Sequence, residues 1–253
     1  MIPKIIHYCW LSNEPIPEEL QNYMKSWRQY LPDYEFVLWN FERFDKSSSK
    51  WVEQAFDNKK YAFAADYIRL YAIYNYGGIY MDMDIEVLQS FDGLLDTDLL
   101  LAFENDEKNG IEAGCFGAKK ENPFIGECLN YYKDRFFIKG DGTFDMLPLP
   151  KIMMKFISNK EGLTILDRYT FTCKSYEDGN ITRKDYSYAI HNFAGSWTSK
   201  MQQKYDKKRH AIYQKYGKKV GKILLVPFFL QWQFSDNGIE GFLKKVYKRI
   251  RIF

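Results

Sequence analysis

Tyr76-Gly77-Gly78-Ile79-Tyr80-Met81-Asp82-Met83-Asp84 is the stretch that decides the reading of this chain. Two glycines interrupt a helical pattern, a short apolar run follows, and two carboxylates spaced two residues apart end it. Side chains alternate along a strand, so in an extended segment Asp82 and Asp84 point the same way. Like charges held that close repel unless a cation lies between them or nearby. A hard divalent ion, Mg2+ or Mn2+, takes oxygen ligands and commonly links one or two carboxylates to a substrate phosphate. The pattern therefore fits an enzyme that handles a nucleotide diphosphate.

Outward from this stretch, the periodicities predict alternating strands and helices. Upstream, residues 61–76 form the clearest helix, with alanines at 62, 64, 65 and 72 and a natural left-handed stop at Gly77. Residues 4–10 and 35–39 read as strands, and 50–57 as a short helix. Proline and acids at 15–19 open another helix, whose apolar positions Leu20, Met24, Trp27 and Leu31 run to Pro32. Downstream, strands are expected at 79–82, 99–103 and 113–118, and helices at about 123–136 and at 151–157. Short strands are expected at 163–166, 171–173 and 186–191, and a loop over 139–150. Such alternation predicts an α/β sheet, in which ligands gather beyond the carboxyl ends of strands. Asp82 and Asp84 fall at such an end.

The 253 residues suit one domain, or one domain with a helical appendage. Aromatic residues make up 18 % of the chain, enough Tyr and Trp to serve sugar and base stacking as well as the core. Cys9, Cys115, Cys128 and Cys173 lie far apart, which predicts reduced thiols rather than a disulfide or zinc framework. The opening residues lack a signal-peptide pattern, and no apolar run reaches the length of a membrane span. Charge is uneven. Residues 200–253 hold 14 Lys and Arg against 3 Asp and Glu, a net +11, which leaves −8 on the rest. A nucleic-acid binder usually works through its basic face; an acidic body with a basic, aromatic tail fits better with attachment to an anionic membrane.

A bare Asp-x-Asp is most often a solvated turn, so its surroundings matter. Asp66 and Arg69 sit at i and i+3 on one helix face, either as a local ion pair or at the rim of the same pocket. The strings Ala65-Asp66-Tyr67-Ile68-Arg69 and 76–84, with the opening Ile2-Pro3-Lys4-Ile5-Ile6-His7-Tyr8-Cys9-Trp10, resemble glycosyltransferase family 32. That family includes yeast-type α-1,6-mannosyltransferases and bacterial capsule-synthesis transferases, and is distantly similar to the glucosylating domain of large clostridial toxins. The match is strong over residues 1 to about 105 and thin beyond.

The resemblance implies a GT-A fold, a Rossmann-like single domain with a mixed central sheet. It further implies a divalent cation, a nucleotide-sugar donor and retention of anomeric configuration. By it, Asp84 would coordinate the metal directly and Asp82 would touch the donor or the metal. Asp66 and Arg69 would hold the sugar hydroxyls, and Tyr80 would lie with the donor. Tyr8 and Trp10 would line the base pocket, although core packing explains either as readily. His191-Asn192-Phe193-Ala194-Gly195-Ser196-Trp197 resembles the closure of such sites, with His191 as a third metal ligand and Ser196 and Trp197 donating to the diphosphate. Glu104 and Asn105 end a strand within reach of the reacting sugar or the acceptor, with a plain turn as the alternative. Relatives often carry Thr-Gly-Pro where this chain has Gly142-Thr143-Phe144-Asp145-Met146-Leu147-Pro148, so acceptor contacts there reduce to Asp145.

The expected division is 1–200 as transferase domain and 201–253 as a basic, amphipathic tail. Within that tail Phe242, Val246, Ile250 and Phe253 fall at helical spacing among Lys244, Lys245, Lys248, Arg249 and Arg251. The donor is expected to be a UDP-sugar first and a GDP-sugar second. The acceptor is expected to be a glycan or lipid-linked glycan in surface polysaccharide synthesis. The protein is expected in the cytoplasm, held at the inner face of the membrane, with no nucleic-acid partner. A metal-dependent phosphohydrolase or nucleotidyltransferase would also use an aspartate pair, with further acidic ligands. A sugar- or membrane-binding module would keep the aromatics without needing Asp84.

Overall fold

In the computed structural model, which describes residues 1–157, 163–195, 198–236 and 238, the double glycine turns the chain from helix into sheet. Gly77 has φ +68° and Gly78 φ +104°, and a Cβ on Gly78 would lie 2.6 Å from the Ile5 carbonyl oxygen. Only glycine accepts both the dihedral and the approach. In chain order, β1 (Ile5–Cys9), α1 (Glu18–Tyr30), β2 (Glu35–Trp39), α2 (Lys50–Asp57), α3 (Tyr61–Tyr76), β3 (Gly78–Met81), β4 (Ile85–Val87), β5 (Leu99–Leu100), β6 (Cys115–Ala118), α4 (Pro123–Asn130), α5 (Leu149–Ile157) and β7 (Ala189–His191) belong to one compact unit, residues 1–173 with 182–192.

Its main sheet runs β2-β1-β3-β6-β5. β1 lies parallel to both β2 and β3, whereas β6 is antiparallel to β3 and β5, so the expected mixed α/β sheet is present. Strands β3 and β6 are buried throughout. Helix α3 is apolar on most sides because it packs between α2, α4 and the sheet. His7, fully buried in β1, locks the carboxyl end of α3 to the sheet. Its Nε2 lies 2.8 Å from the Gly77 carbonyl oxygen, while its Nδ1 accepts the Trp39 indole N–H at 3.0 Å. Burial pushes its pKa down to about 4, so the ring is neutral and donates through Nε2.

Several expected elements are shorter. The helix begun at Pro123, capped by the Asn122 side chain, ends at Asn130 instead of 136, and the chain turns through Asp134 at φ +57°. The strand expected over 99–103 narrows to Leu99–Leu100, followed by single bridges at Ala102 and Phe103. Of the three late strands, 163–166 and 171–173 reduce to bridges at Leu166 and Thr172, and 186–191 to β7. β4 was not expected: three residues after a turn give too short a pattern to read. It pairs with β7 in a separate two-stranded sheet.

The second unit comprises residues 174–181 and those from 193 onward. Helix α6 (Lys200–Leu224) is capped by Ser199 and kinks at Gly217. The chain is helical again over 226–236. Tyr205, Ile212, Tyr213 and Leu225 form a small core with Phe229 and Trp232. The amphipathic helix expected over 241–253 lies outside the described residues. Among the described residues, no helix is long and apolar enough to cross a membrane.

Candidate active site

Asp82 is the first residue beyond β3. Its N–H donates to the Gly114 carbonyl at 2.7 Å and its carbonyl accepts from Ile85 N–H at 3.1 Å. The chain therefore turns at Asp82–Asp84, and the aspartates meet through that turn rather than through strand alternation, which corrects the expectation from spacing. The turn feeds β4, whose Ile85 pairs with His191 of β7, and Asn192 N–H donates to the Asp84 carbonyl at 3.0 Å. This register carries a residue over a hundred positions downstream to the aspartates. One ligand atom from each of Asp82, Asp84 and His191 lies within 4.8 Å of the other two. Two carboxylates and an imidazole suit Mn2+ or Mg2+.

His191 does not stand alone. Its Nε2 is 3.5 Å from Asp84 Oδ1, and its Nδ1 is 3.1 Å from both carboxylate oxygens of Glu112. Glu112, 2 % exposed, also accepts from Gly114 N–H at 2.7 Å and from the Thr172 hydroxyl. Burial opposes charge on His191, but Glu112 and Asp84 outweigh it and raise the ring's pKa to about 10. Burial likewise opposes charge on Glu112, and His191 with the hydrogen bonds reverses this, so its carboxyl titrates below the ordinary range. A carboxylate behind an imidazole fixes which nitrogen faces a metal. Gly114 leaves room for the group: a Cβ there would lie 2.8 Å from His191 Cε1 and 2.9 Å from Asp82 Oδ2.

Arg69 joins the aspartates from the helix side. Its NH2 lies 3.5 Å from Asp66 Oδ1 and 3.4 Å from Asp82 Oδ1, and its NH1 donates to the Ala113 carbonyl at 2.7 Å. The Tyr80 hydroxyl donates to Asp82 Oδ1 at 2.8 Å, and the guanidinium lies 4.5 Å from the centre of the Tyr80 ring. Asp66 accepts from Leu149 N–H, at the start of α5, at 3.2 Å. Burial raises the Asp66 carboxyl to about 6 against the pull of Arg69. Both members of this pair are buried, so the surface ion-pair reading does not apply.

Of the other expected residues, Glu104 lies within electrostatic reach of Glu112 and His191, and the rest have different partners. Tyr8 lines a cavity of about 600 Å³ with Asn40, Glu42 and Arg43. Trp10 is not among its lining residues; its indole donates to the Glu14 carbonyl at 2.7 Å. The Asn105 amide is spent within a hairpin tip, on Glu104 at 3.3 Å and Asn109 at 3.0 Å. Glu104 is pushed up to about 7 by burial and by the charge of Glu112. Asp145 pairs with Arg135 at 3.7 Å. Ser196 and Trp197 lie outside the described residues. Sequence reading missed Glu112, Gly114 and Thr172; Glu112 follows Ile111 in an apolar context, and only its burial marks it.

Residues 17–101 match the family described as glycosyltransferase sugar-binding region containing DXD motif. Inositol phosphoceramide mannosyltransferase 3 of Schizosaccharomyces pombe is 36 % identical over 128 residues, 49 % of this chain and 35 % of that protein. Mannosyl phosphorylinositol ceramide synthase SUR1 of Saccharomyces cerevisiae is 31 % identical over 137 residues, 53 % of this chain and 35 % of that protein. The chain thus spans less than half the length of these curated relatives. Among solved structures, PaToxG Glycosyltransferase is similar with a TM-score of 0.50 at 21 % identity, over 62 % of this chain and 69 % of that one. The fold is accordingly GT-A-like, and residues 17–101 match the sugar-binding region of DXD glycosyltransferases.

Proposed function

We propose that this chain, whose residues 17–101 match that sugar-binding region, is a metal-dependent glycosyltransferase that moves a sugar from a nucleotide-diphosphate donor to a glycan or lipid-linked glycan. The observation that carries the reading is the meeting of Asp82, Asp84 and His191 within 4.8 Å, beside the buried Asp66–Arg69 pair. Asp82, Asp84 and His191 would hold Mn2+ or Mg2+. Bound there, the ion supplies positive charge against the departing diphosphate.

The chain's own groups supply position. Glu112 holds the His191 ring, and Arg69 with Tyr80 holds Asp82. Asp66 and Arg69 present a carboxylate and a guanidinium to donor hydroxyls, so that the acceptor hydroxyl meets the sugar in an oriented pose. Tyr8 and the cavity it lines are proposed for the base. Retention of anomeric configuration, with the acceptor proton passing to the leaving phosphate, is proposed from the family 32 resemblance. A UDP-sugar is proposed before a GDP-sugar, and the mannosyltransferase names of the relatives add mannose to the sugars to be tried. Capsular or other surface polysaccharide remains the proposed destination.

The test is a panel of UDP- and GDP-sugars incubated with the protein and Mn2+, with release of nucleoside diphosphate as the readout. Slow donor hydrolysis without acceptor, abolished by Asp84→Asn, is the expected result. No release from any donor, in protein shown to bind Mn2+, would sink the proposal.

A further inference from the structure

The second unit contains a helical hairpin whose return arm is open and apolar on one side. Tyr205 of α6 stacks on Trp232 at 5.0 Å, Lys208 lies 5.0 Å from the Phe228 ring centre, and the Ser199 hydroxyl bonds Asp236 at 2.5 Å. The chain therefore folds back on itself at Gly217, and 218–236 runs along the first arm of α6, with Gly221 packed against Tyr213. Packing between the arms buries Tyr205, Ile212, Tyr213 and Leu225. Other apolar residues at the turn and on the return arm are open to solvent. Ile223 is 73 % exposed, and Tyr216, Val220, Leu224, Val226 and Phe228 are each between 36 % and 50 % exposed. Six large apolar side chains thus lie open within thirteen residues, far denser than the scattered surface hydrophobics of ordinary proteins.

Charge on the same element has one sign. Between Asp206 and Asp236 the sequence holds seven Lys and Arg and no Asp or Glu. Lys215, Lys218, Lys219 and Lys222 are exposed around this apolar surface. Lys218 reaches Glu177 and Asp178 of the same unit, and residues 207–235 hold no Asp or Glu of their own. Apolar side chains at the centre with cations around them match the acyl and headgroup layers of an anionic bilayer. A second copy of the chain would set lysine against lysine across a two-fold axis.

We propose that the exposed side of the return arm around Val220, Ile223 and Leu224 docks into an anionic lipid surface, with Lys219 and Lys222 on the headgroups. The inference rests on the hairpin and stands apart from the transferase reading, so failure of the donor panel leaves it untouched. The test is co-sedimentation of the full chain with vesicles of phosphatidylcholine alone and with about one-third phosphatidylglycerol, at low and high salt. Binding is expected to the anionic vesicles, weakened by salt. Ile223→Asp with Val220→Asp should weaken it about tenfold or more. Lys219→Glu with Lys222→Glu should weaken it about 25-fold. Circular dichroism checks that both variants keep their helix. Absence of binding to anionic vesicles overturns the proposal, as does binding that both folded variants retain in full. So does a change from dimer to monomer in Ile223→Asp with vesicle binding unaltered, which would make this surface a contact between copies.

Discussion

Both carboxylate oxygens of Glu112 lie 3.1 Å from Nδ1 of His191, which leaves Nε2 of the same ring toward Asp84 at 3.5 Å. The imidazole is thereby held from behind by a buried anion, and that anion is itself held by Gly114 N–H and the Thr172 hydroxyl. Ring orientation is decided before any cation arrives.

Removing that charge while keeping the shape should loosen the metal more than the fold. Glu112→Gln is expected to raise the Mn2+ concentration needed for half-maximal activity about 10- to 100-fold, the range seen when such outer partners are lost. Activity at saturating Mn2+ should recover much of its native value. A melting temperature that collapses with no change in Mn2+ dependence would assign Glu112 to the fold alone.

Gly114 gives a steric test of the same group. Gly114→Ala would put a Cβ 2.8 Å from His191 Cε1 and 2.9 Å from both Asp82 Oδ2 and Glu112 Oε1. Side chains must move, and they are the ones proposed to bind metal. Turnover should fall by about one to two orders of magnitude, the scale of a roughly 1 Å misplacement. Calorimetric titration with Mn2+ should show weakened binding in a folded variant.

Much of this site was legible. Asp66, Arg69, Asp82 and Asp84 lie within one twenty-residue run, where local spacing places the first two on one helix face and the last two at the end of the following strand, although a turn rather than alternation joins them. His191 was legible through its resemblance to a closing motif, although what brings it in is the β4–β7 pairing, two strands of three residues each. Strands that short have no periodicity to read. Glu112 and Gly114 were illegible for a related reason: their roles come from long-range register, since β6 is antiparallel to β3 and brings the residues before Cys115 alongside Asp82. Helix α4 was overread because Tyr131 and Tyr132 continue its apolar pattern, while the backbone has already turned to pack Tyr132 on Trp51 at 4.9 Å.

Acid should reach this protein through His7. Its pKa is about 4 in the fold against 6.5 for the free side chain, so the unfolded chain binds the proton more readily between those values. Stability is then lost as pH falls from about 6.5 toward 4, by at most about 3 kcal/mol. Asp66, raised to about 6, acts with the opposite sign over an overlapping window, because its folded state binds the proton more readily. The readout is therefore a difference: urea unfolding of His7→Asn should depend less on pH from 6.5 to 4 than that of the native protein. Parallel slopes would remove His7 from the account.

Arg69→Lys tests whether the buried cation acts as a charge or as a fork. The guanidinium reaches Asp66, Asp82 and the Ala113 carbonyl at once, and its NE donates to Ala65 at 3.4 Å. A lysine ammonium is a point charge on a flexible stem and cannot span these partners, yet it preserves the net charge. One or both aspartates would lose its neighbour in a site where water is scarce. Arg69→Lys should therefore lose about 2–4 kcal/mol of stability, and Asp82 should lose its fixed pose with it. Thermal melts and donor hydrolysis read the two effects separately. A variant that keeps native stability and native turnover would show that charge alone suffices, and the network drawn through Arg69 would then have no part in setting the aspartates.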